Sequence, residues 1–221
     1  MHQHMARFTD PELNAIDQRV RQRLKPSRYE HSVGVCETAR TMARIYGVDQ
    51  RKAALAGLLH DWDKALSFDQ LRHKAQELNL ADAYVRQSMP GVLHSFTAAA
   101  TLGQEFSGLD PEILQAIERH TCGAEDMSPL DMVVFTADLI EPNRTFDSAV
   151  RLRRLLGEVS LDELYYQAYK ETVLNLLHTD RTIYPESVNI YNHLVQCRAG
   201  KADRQCKADK ADRQAEVLEN S

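Results

Sequence analysis

The sequence predicts an all-α protein, a bundle of about eight to ten helices. Three observations carry that expectation. Apolar residues recur at steps of three and four along most of the chain. Helix-start signatures repeat: Asp10-Pro11-Glu12 and Asp110-Pro111-Glu112 each supply an N-cap, a first-position proline and an acid in the first turn. Ser67 with Gln70, Ser128 with Asp131 and Ser160 with Glu163 read as capping boxes. Finally, no segment alternates convincingly as a strand.

The first eight residues, with His2 and His4, read as a mobile terminus. Leu13, Ile16, Val20 and Leu24 follow at helical spacing, and Pro26 closes that helix. The next runs from about Arg28 to Tyr46, with Val35, Ala39, Met42, Ile45 and Tyr46 as its stripe. His31 stands four residues before Val35 and so faces the core. Gly47 is a stop and Asp49 an N-cap for Ala53–Leu59, a run that reads as a buried helix. It ends in His60-Asp61-Trp62-Asp63-Lys64; Ala53, Ala56 and Gly57 share the His60 face and allow another helix close approach. The Ser67 helix turns Leu71, Ala75 and Leu78 inward and His73 outward. A small helix from about Asp82 to Met89 breaks at Pro90-Gly91. His94 stands where the next begins, and Gly108 ends that one.

Ile113, Ala116, Ile117 and His120 step by three, four and seven, which puts His120 in phase with a buried face. Met132–Ile140 is the most apolar segment, yet Asp138 lies inside it, and Pro142 closes it. Helices over Asp147–Leu156, Ser160–His178 and Pro185 to about Gln196 complete the bundle, with Leu161, Leu164, Tyr165, Ala168, Thr172 and Leu176 inward on the second. Beyond Arg198 the motif Lys-Ala-Asp-Arg-Gln repeats with small changes and has no apolar stripe. Three parts follow: an N-terminal helix with a mobile end over 1–25, the bundle over 26–197, and a charged, flexible tail over 198–221.

A net charge of −5 argues against a general binder of polymeric nucleic acid or of membrane surfaces. No signal peptide or membrane-length apolar run is evident. Cys36, Cys122, Cys197 and Cys206 are scattered without a C-x-x-C pair, which fits a reduced, cytoplasmic setting. A homodimer is compatible with the sequence.

The informative residues are the polar ones in apolar company. His31, His60, Asp61, His94, His120 and Asp138 lie on five helices or helix ends. One such residue is usually a hydrogen-bonded core group, and a lone His-Asp pair reads as a helix end with a solvated acid. Six in one small helical domain form a ligand set, because a buried charge must be paired or bound to metal. Adjacent His60 and Asp61 point about a hundred degrees apart, so they grip one ion or bridge two. Four imidazoles and two carboxylates suit iron, manganese, zinc or cobalt and argue against calcium. Six ligands exceed what one catalytic zinc keeps. Two metals about 4 Å apart sharing Asp61 favour in-line displacement at phosphorus.

In that order the six residues resemble the HD superfamily of metal-dependent phosphohydrolases. Arg28-Tyr29-Glu30-His31, Leu59-His60-Asp61 with Lys64, His120-Thr121-x-Gly123 and Ala137-Asp138-x-Ile140-Glu141-Pro142-x-Arg144 resemble the YqeK-like symmetrical bis(5′-nucleosyl)-tetraphosphatases. The similarity spans about residues 28 to 195; Asp63 departs from the small residue expected there. The resemblance implies an HD-domain fold, a binuclear centre of iron, and hydrolysis of diadenosine tetraphosphate, a dinucleoside polyphosphate, to two ADP. It implies Asp61, Lys64 and Arg144 as catalytic residues and Lys64, Thr121 and Arg144 as substrate contacts. Arg144 reads equally well as a clamp on Glu141. Two other readings stand beside this one: another HD-type nucleotidase or phosphodiesterase, and a non-catalytic nucleotide- or metal-sensing module. The complete ligand set argues against the sensor, since a degraded site loses ligands. Truncation after Arg198 is expected to leave solubility and activity intact, because no apolar face is lost; precipitation or loss of most activity contradicts this.

Overall fold

The computed structural model describes residues 10–106 and 108–200. The described residues are all-helical: α1 (Pro11–Arg23), α2 (Pro26–Tyr46), α3 (Gln50–Leu59), α4 (Phe68–Glu77), α5 (Ala83–Ser88), a 3₁₀ turn (Pro90–Val92), α6 (Leu93–Glu105), α7 (Pro111–Arg119), α8 (Pro129–Ile140), α9 (Asp147–Arg154) and α10 (Leu161–His178). Residues 187–200 form a last helix, α11. None of the helices is long and apolar enough to cross a membrane. His2, His4, Cys206 and the tail beyond residue 200 lie outside the described residues.

The helices begin where the capping chemistry puts them. Asp10 and Asp110 accept from the first N–H groups of α1 and α7. Ser67 with Gln70 and Ser128 with Asp131 form reciprocal boxes. At α10 only half of the box forms. Ser160 accepts from Glu163 N, but the Glu163 carboxylate goes to Gln167 and Arg198 at 2.8 Å each. Pro26, expected only to close the first helix, is also the first residue of α2, where its missing N–H costs nothing. Ile45, in the last turn of α2, is exposed rather than inward. α6 ends at Glu105, before Gly108, and α11 runs past Gln196 to residue 200.

The core sits between α2, α3, α7 and α8, with α6 and α10 outside them. Every residue from Ala53 to Leu59 is buried, so α3 is packed on all sides. Its contact with α2 is close enough to be backbone on backbone. A methyl group at Gly57 would stand 3.0 Å from Cys36 Cα and 3.0 Å from Val35 O. That approach sets the rings of His31 and His60, one turn away on each helix, 5.2 Å apart.

The turn after α3 is tied down from α1 and α4. Asp63 is fully buried and accepts from Arg23 at 2.6 Å, Lys74 at 2.7 Å and, more distantly, Thr101 at 3.4 Å. Arg23 also donates to Trp62 O at 2.6 Å and lies 4.6 Å over the indole. Asp63 departs from the small residue of the resemblance because here the position carries an ion-pair network that braces the His60–Lys64 turn.

Gly57→Ala is expected to destabilise the protein by about 1–3 kcal/mol, since neither neighbouring atom is a flexible side-chain end. Urea unfolding measures it, and an unchanged midpoint would show that the crossing is looser than described.

Candidate metal centre

Three of the four imidazoles are oriented by one device. His60 Nδ1 lies 2.7 Å from Gly57 O, His94 Nδ1 2.7 Å from Gly91 O, and His120 Nδ1 2.6 Å from Ile117 O, each carbonyl three residues earlier. A carbonyl only accepts, so each Nδ1 carries a proton, and each ring turns inward an Nε2 that is a bare lone pair whenever the ring is neutral. His31 is set by a side chain instead: its Nδ1 lies 3.1 Å from Glu141 Oε1. Glu141 is almost wholly buried and also accepts Asn143 N–H at 2.7 Å. Gly34, one turn beyond His31, makes the room, since a methyl there would meet Glu141 Oε2 at 2.6 Å.

The inward atoms converge. His31 Nε2 stands 3.0 Å from Asp138 Oδ1 and 3.9 Å from Asp61 Oδ2. His60 Nε2 stands 3.4 Å from Asp61 Oδ2 and 3.9 Å from Asp138 Oδ1. Asp61 turns its other oxygen to His94 Nε2, at 3.3 Å. His94 and His120 face each other Nε2 to Nε2 at 3.2 Å, and neither neutral ring has a proton left for the other. His31 Nε2 and His60 Nε2 are buried without an aligned hydrogen bond. Two overlapping donor groups result, His31–His60–Asp138 and His60–Asp61–His120, each with its ligand atoms within 4.8 Å of one another. A buried lone pair without a donor is costly. Nitrogen and oxygen donors in this ratio fit borderline transition-metal cations.

The electrostatics point the same way. Burial alone would raise the Asp61 carboxyl, but His60 and then His94 outweigh it and hold the group well below its usual value. Burial is likewise outweighed at Asp138 by His31, His60 and Arg144. Burial lowers His94 against the pull of Asp61, and burial with His60 and His94 alongside pushes His120 down to about 3. Burial would lower His60 too, but Asp61 beside it wins and raises it. The carboxylates are therefore anionic, and His94 and His120 neutral, across the physiological range.

Cations close the site. Arg144 donates from Nη2 to Asp138 Oδ1 at 2.8 Å and from Nε to Asp138 O at 3.1 Å. It stands 4.0 Å from Glu141, so the carboxylate it holds is Asp138. Lys64 is exposed taken as a whole residue, yet its ammonium lies 3.2 Å and 3.3 Å from the two nitrogens of His94. Burial of that end lowers its pKa, helped by Arg28 and Arg144 and opposed by Asp61 and Asp138. Thr121 Oγ1 reaches His120 Nε2 at 3.0 Å and His94 Nε2 at 3.3 Å. A quarter of the Asp138 side chain remains open to solvent, which leaves an approach for a ligand.

All nine residues singled out in the sequence thus meet in one place. Three others take part in roles that the sequence alone did not assign. Arg28 donates to Asp61 Oδ2 at 2.8 Å, and its spacing of three before His31 is a helix-face signal that could have found it. Glu141 was read only as a partner for Arg144. Arg153 gives its guanidinium to the carbonyls of Ile140, Glu141 and Arg144 at 2.8, 3.0 and 2.9 Å, pinning the segment that carries Glu141 and Arg144. Nothing in its local sequence marks that role. Glu141→Gln is expected to lower metal affinity about 10- to 100-fold by weakening the anchor on His31. Calorimetric titration with metal checks it, and an affinity equal to that of the parent protein refutes it.

Comparison with known proteins agrees with this geometry. The HD-domain model matches residues 28–143. The symmetrical bis(5′-nucleosyl)-tetraphosphatase of Halalkalibacterium halodurans is 34% identical over 178 residues, 80% of this chain and 94% of that protein. The Bacillus subtilis protein of the same name is 32% identical over 176 residues, 80% of this chain and 94% of its own. A crystal structure from Clostridium acetobutylicum, described as a predicted HD superfamily hydrolase involved in NAD metabolism, superposes with a TM-score of 0.76. It is 29% identical and covers 83% of this chain and 96% of that one. The chain belongs to the HD-domain family, in the branch of the symmetrical bis(5′-nucleosyl)-tetraphosphatases.

Proposed function

We propose that this protein hydrolyses dinucleoside tetraphosphates symmetrically, diadenosine tetraphosphate giving two ADP, at a two-metal centre. The observation that carries the reading is Asp61, whose two oxygens face different imidazoles, His60 at 3.4 Å and His94 at 3.3 Å, beside two donor groups that share His60. His31, His60, Asp61, His94, His120 and Asp138 would hold the metals. Iron leads by family resemblance, with manganese, cobalt and zinc compatible with the donors. Such a pair, when bound, brings the pKa of water near neutrality and draws charge from a phosphoryl group. The relatives named as symmetrical tetraphosphatases support the choice of substrate over another nucleotidase or a sensing module.

The chain's own groups have separable tasks. The backbone carbonyls at Gly57, Gly91 and Ile117 fix three rings, so the donors need no rearrangement when metal or substrate arrives. Arg144 already spends Nε and Nη2 on Asp138, and Nη1, which has no partner among the described residues, is placed to meet a phosphoryl oxygen beside it. Lys64 is held over His94 and supplies a point charge for the negative charge that develops on the phosphate oxygens. The Thr121 hydroxyl, between His94 and His120, is placed to donate to a phosphate oxygen. The product leaves as an anhydride-linked phosphate, which departs as the anion and needs no general acid. We place the protein in the cytoplasm, since its scattered cysteines, without a C-x-x-C pair, suit a reduced setting.

Metal-loaded protein in ¹⁸O water is expected to convert diadenosine tetraphosphate to ADP alone, with label in one of each two molecules. Accumulating AMP and ATP would overturn the symmetrical assignment. Asp61→Ala is expected to slow the reaction by about a thousandfold, equivalent to about 4 kcal/mol of barrier. An unchanged rate would rule out the two-metal reading.

A further inference from the structure

The turn that carries His120 and Thr121 is gripped from two sides. On the α7 side Gly123 N donates to Arg119 O at 2.8 Å, and His120 keeps its own bond to Ile117 O. On the other side stand Tyr165 and Tyr169, one turn apart on α10 and almost wholly buried. They pack with Phe135 of α8, the three ring centroids 5.3 to 5.9 Å apart. Gly123 has a φ of +73°, and a methyl group there would stand 2.8 Å from Tyr165 Oη and 2.8 Å from Tyr169 Cε2. Both side chains therefore lie directly on the backbone of the turn. Tyr169 also donates its hydroxyl proton to Cys122 O at 3.3 Å. Ser187, buried where α11 begins, hydrogen-bonds the Tyr169 hydroxyl in turn. Burial pushes the Tyr169 phenol up to about 12, so it keeps its proton. That proton goes to a carbonyl, which only accepts, so the Ser187 hydroxyl donates to the phenol oxygen.

A chain of two hydroxyls thus runs from α11 through α10 to the carbonyl next to Thr121. Neither helix lies within the HD match, which ends at residue 143. The His120 ring does not depend on this chain, because its anchor is a carbonyl of α7. The Thr121 hydroxyl is different. The nitrogens it reaches, at 3.0 and 3.3 Å, are ones that a metal would take, so its aim has to come from the backbone of the turn. We propose that Tyr169, backed by Ser187, is a positioning residue for Thr121, holding the turn so that this hydroxyl faces the space between His94 and His120. The proposal rests on the reading of Thr121 as a phosphate contact. It adds what aims that contact, and it draws α10 and α11 into the work of the site.

A double-mutant cycle tests it, read by titration calorimetry of the metal-loaded protein with ADP. Tyr169→Phe keeps the ring on Gly123 and removes only the hydroxyl. It is expected to weaken ADP binding about fivefold, the scale of one hydrogen bond, and to leave metal affinity within about twofold. Ser187→Ala is expected to act in the same direction, by about threefold. In a Thr121→Val protein, Tyr169→Phe is expected to change ADP affinity by less than about twofold, because the hydroxyl it aims is gone. Equal losses with and without the Thr121 hydroxyl would overturn the proposal, as would an ADP affinity that Tyr169→Phe leaves unchanged. A metal affinity that falls in step with ADP affinity would overturn it too, since the tyrosine would then serve only to hold the core together. Product analysis of the parent protein separates this claim from the reaction. ADP as sole product with an additive cycle spares the reaction and sinks the positioning role. AMP and ATP as products with a coupled cycle spare the positioning role and sink the symmetrical reaction.

Discussion

An imidazole that gives its Nδ1 proton to a carbonyl three residues back has only a lone pair to offer at Nε2. That constraint organises the site. His60 and His120 are the C-caps of α3 and α7, and the carbonyls they bind, Gly57 and Ile117, belong to last turns that lack helical partners. Each histidine therefore satisfies its own helix end and, by doing so, commits its other nitrogen to the interior. His94 repeats the arrangement at the start of α6, using the carbonyl of Gly91 in the 3₁₀ turn. Lone pairs aimed at one another inside a protein are unfavourable unless a cation accepts them, which makes the helix ends and the ligand set one design.

His31 is the exception, and its support is correspondingly more elaborate. It sits in the second turn of α2, where the carbonyls are already bonded within the helix, so its orientation comes from Glu141 across the core. Glu141 fits only because Gly34 has no side chain, and its backbone is held by Arg153 from α9. The short α9 thus reaches the candidate metal centre through two steps: guanidinium to carbonyl, then carboxylate to imidazole.

Much of this was legible in the sequence because it rests on period and on burial. His31, His60 and His120 announce themselves by sharing phase with apolar faces, and Asp138 by its apolar neighbours. The small face of α3 foretold the close crossing at Gly57. What stayed hidden depends on contacts between residues distant in sequence. Asp63 looked like a misplaced acid because Arg23, Lys74 and Thr101, which neutralise and bind it, lie on three other elements. Arg153 is one of several arginines on a short helix, and its role is not marked in the sequence because carbonyl acceptors carry no signature there. Half of the Ser160 box failed for the same reason, as Arg198 is 35 residues away and claims the glutamate.

The network at Asp63 bears on where this domain starts. The HD match opens at residue 28, after α1 has ended. Yet Arg23 at the end of α1 is one of two cations on a carboxylate with no solvent access, two residues after Asp61. Removing one partner of a buried pair costs about 3–5 kcal/mol, a large share of the stability of a domain this size. A recombinant fragment trimmed to the family boundary would expose Trp62, strand Asp63 beside Lys74 alone and loosen the turn that aims Lys64. The physical unit begins with α1, one helix earlier than the unit that sequence comparison outlines.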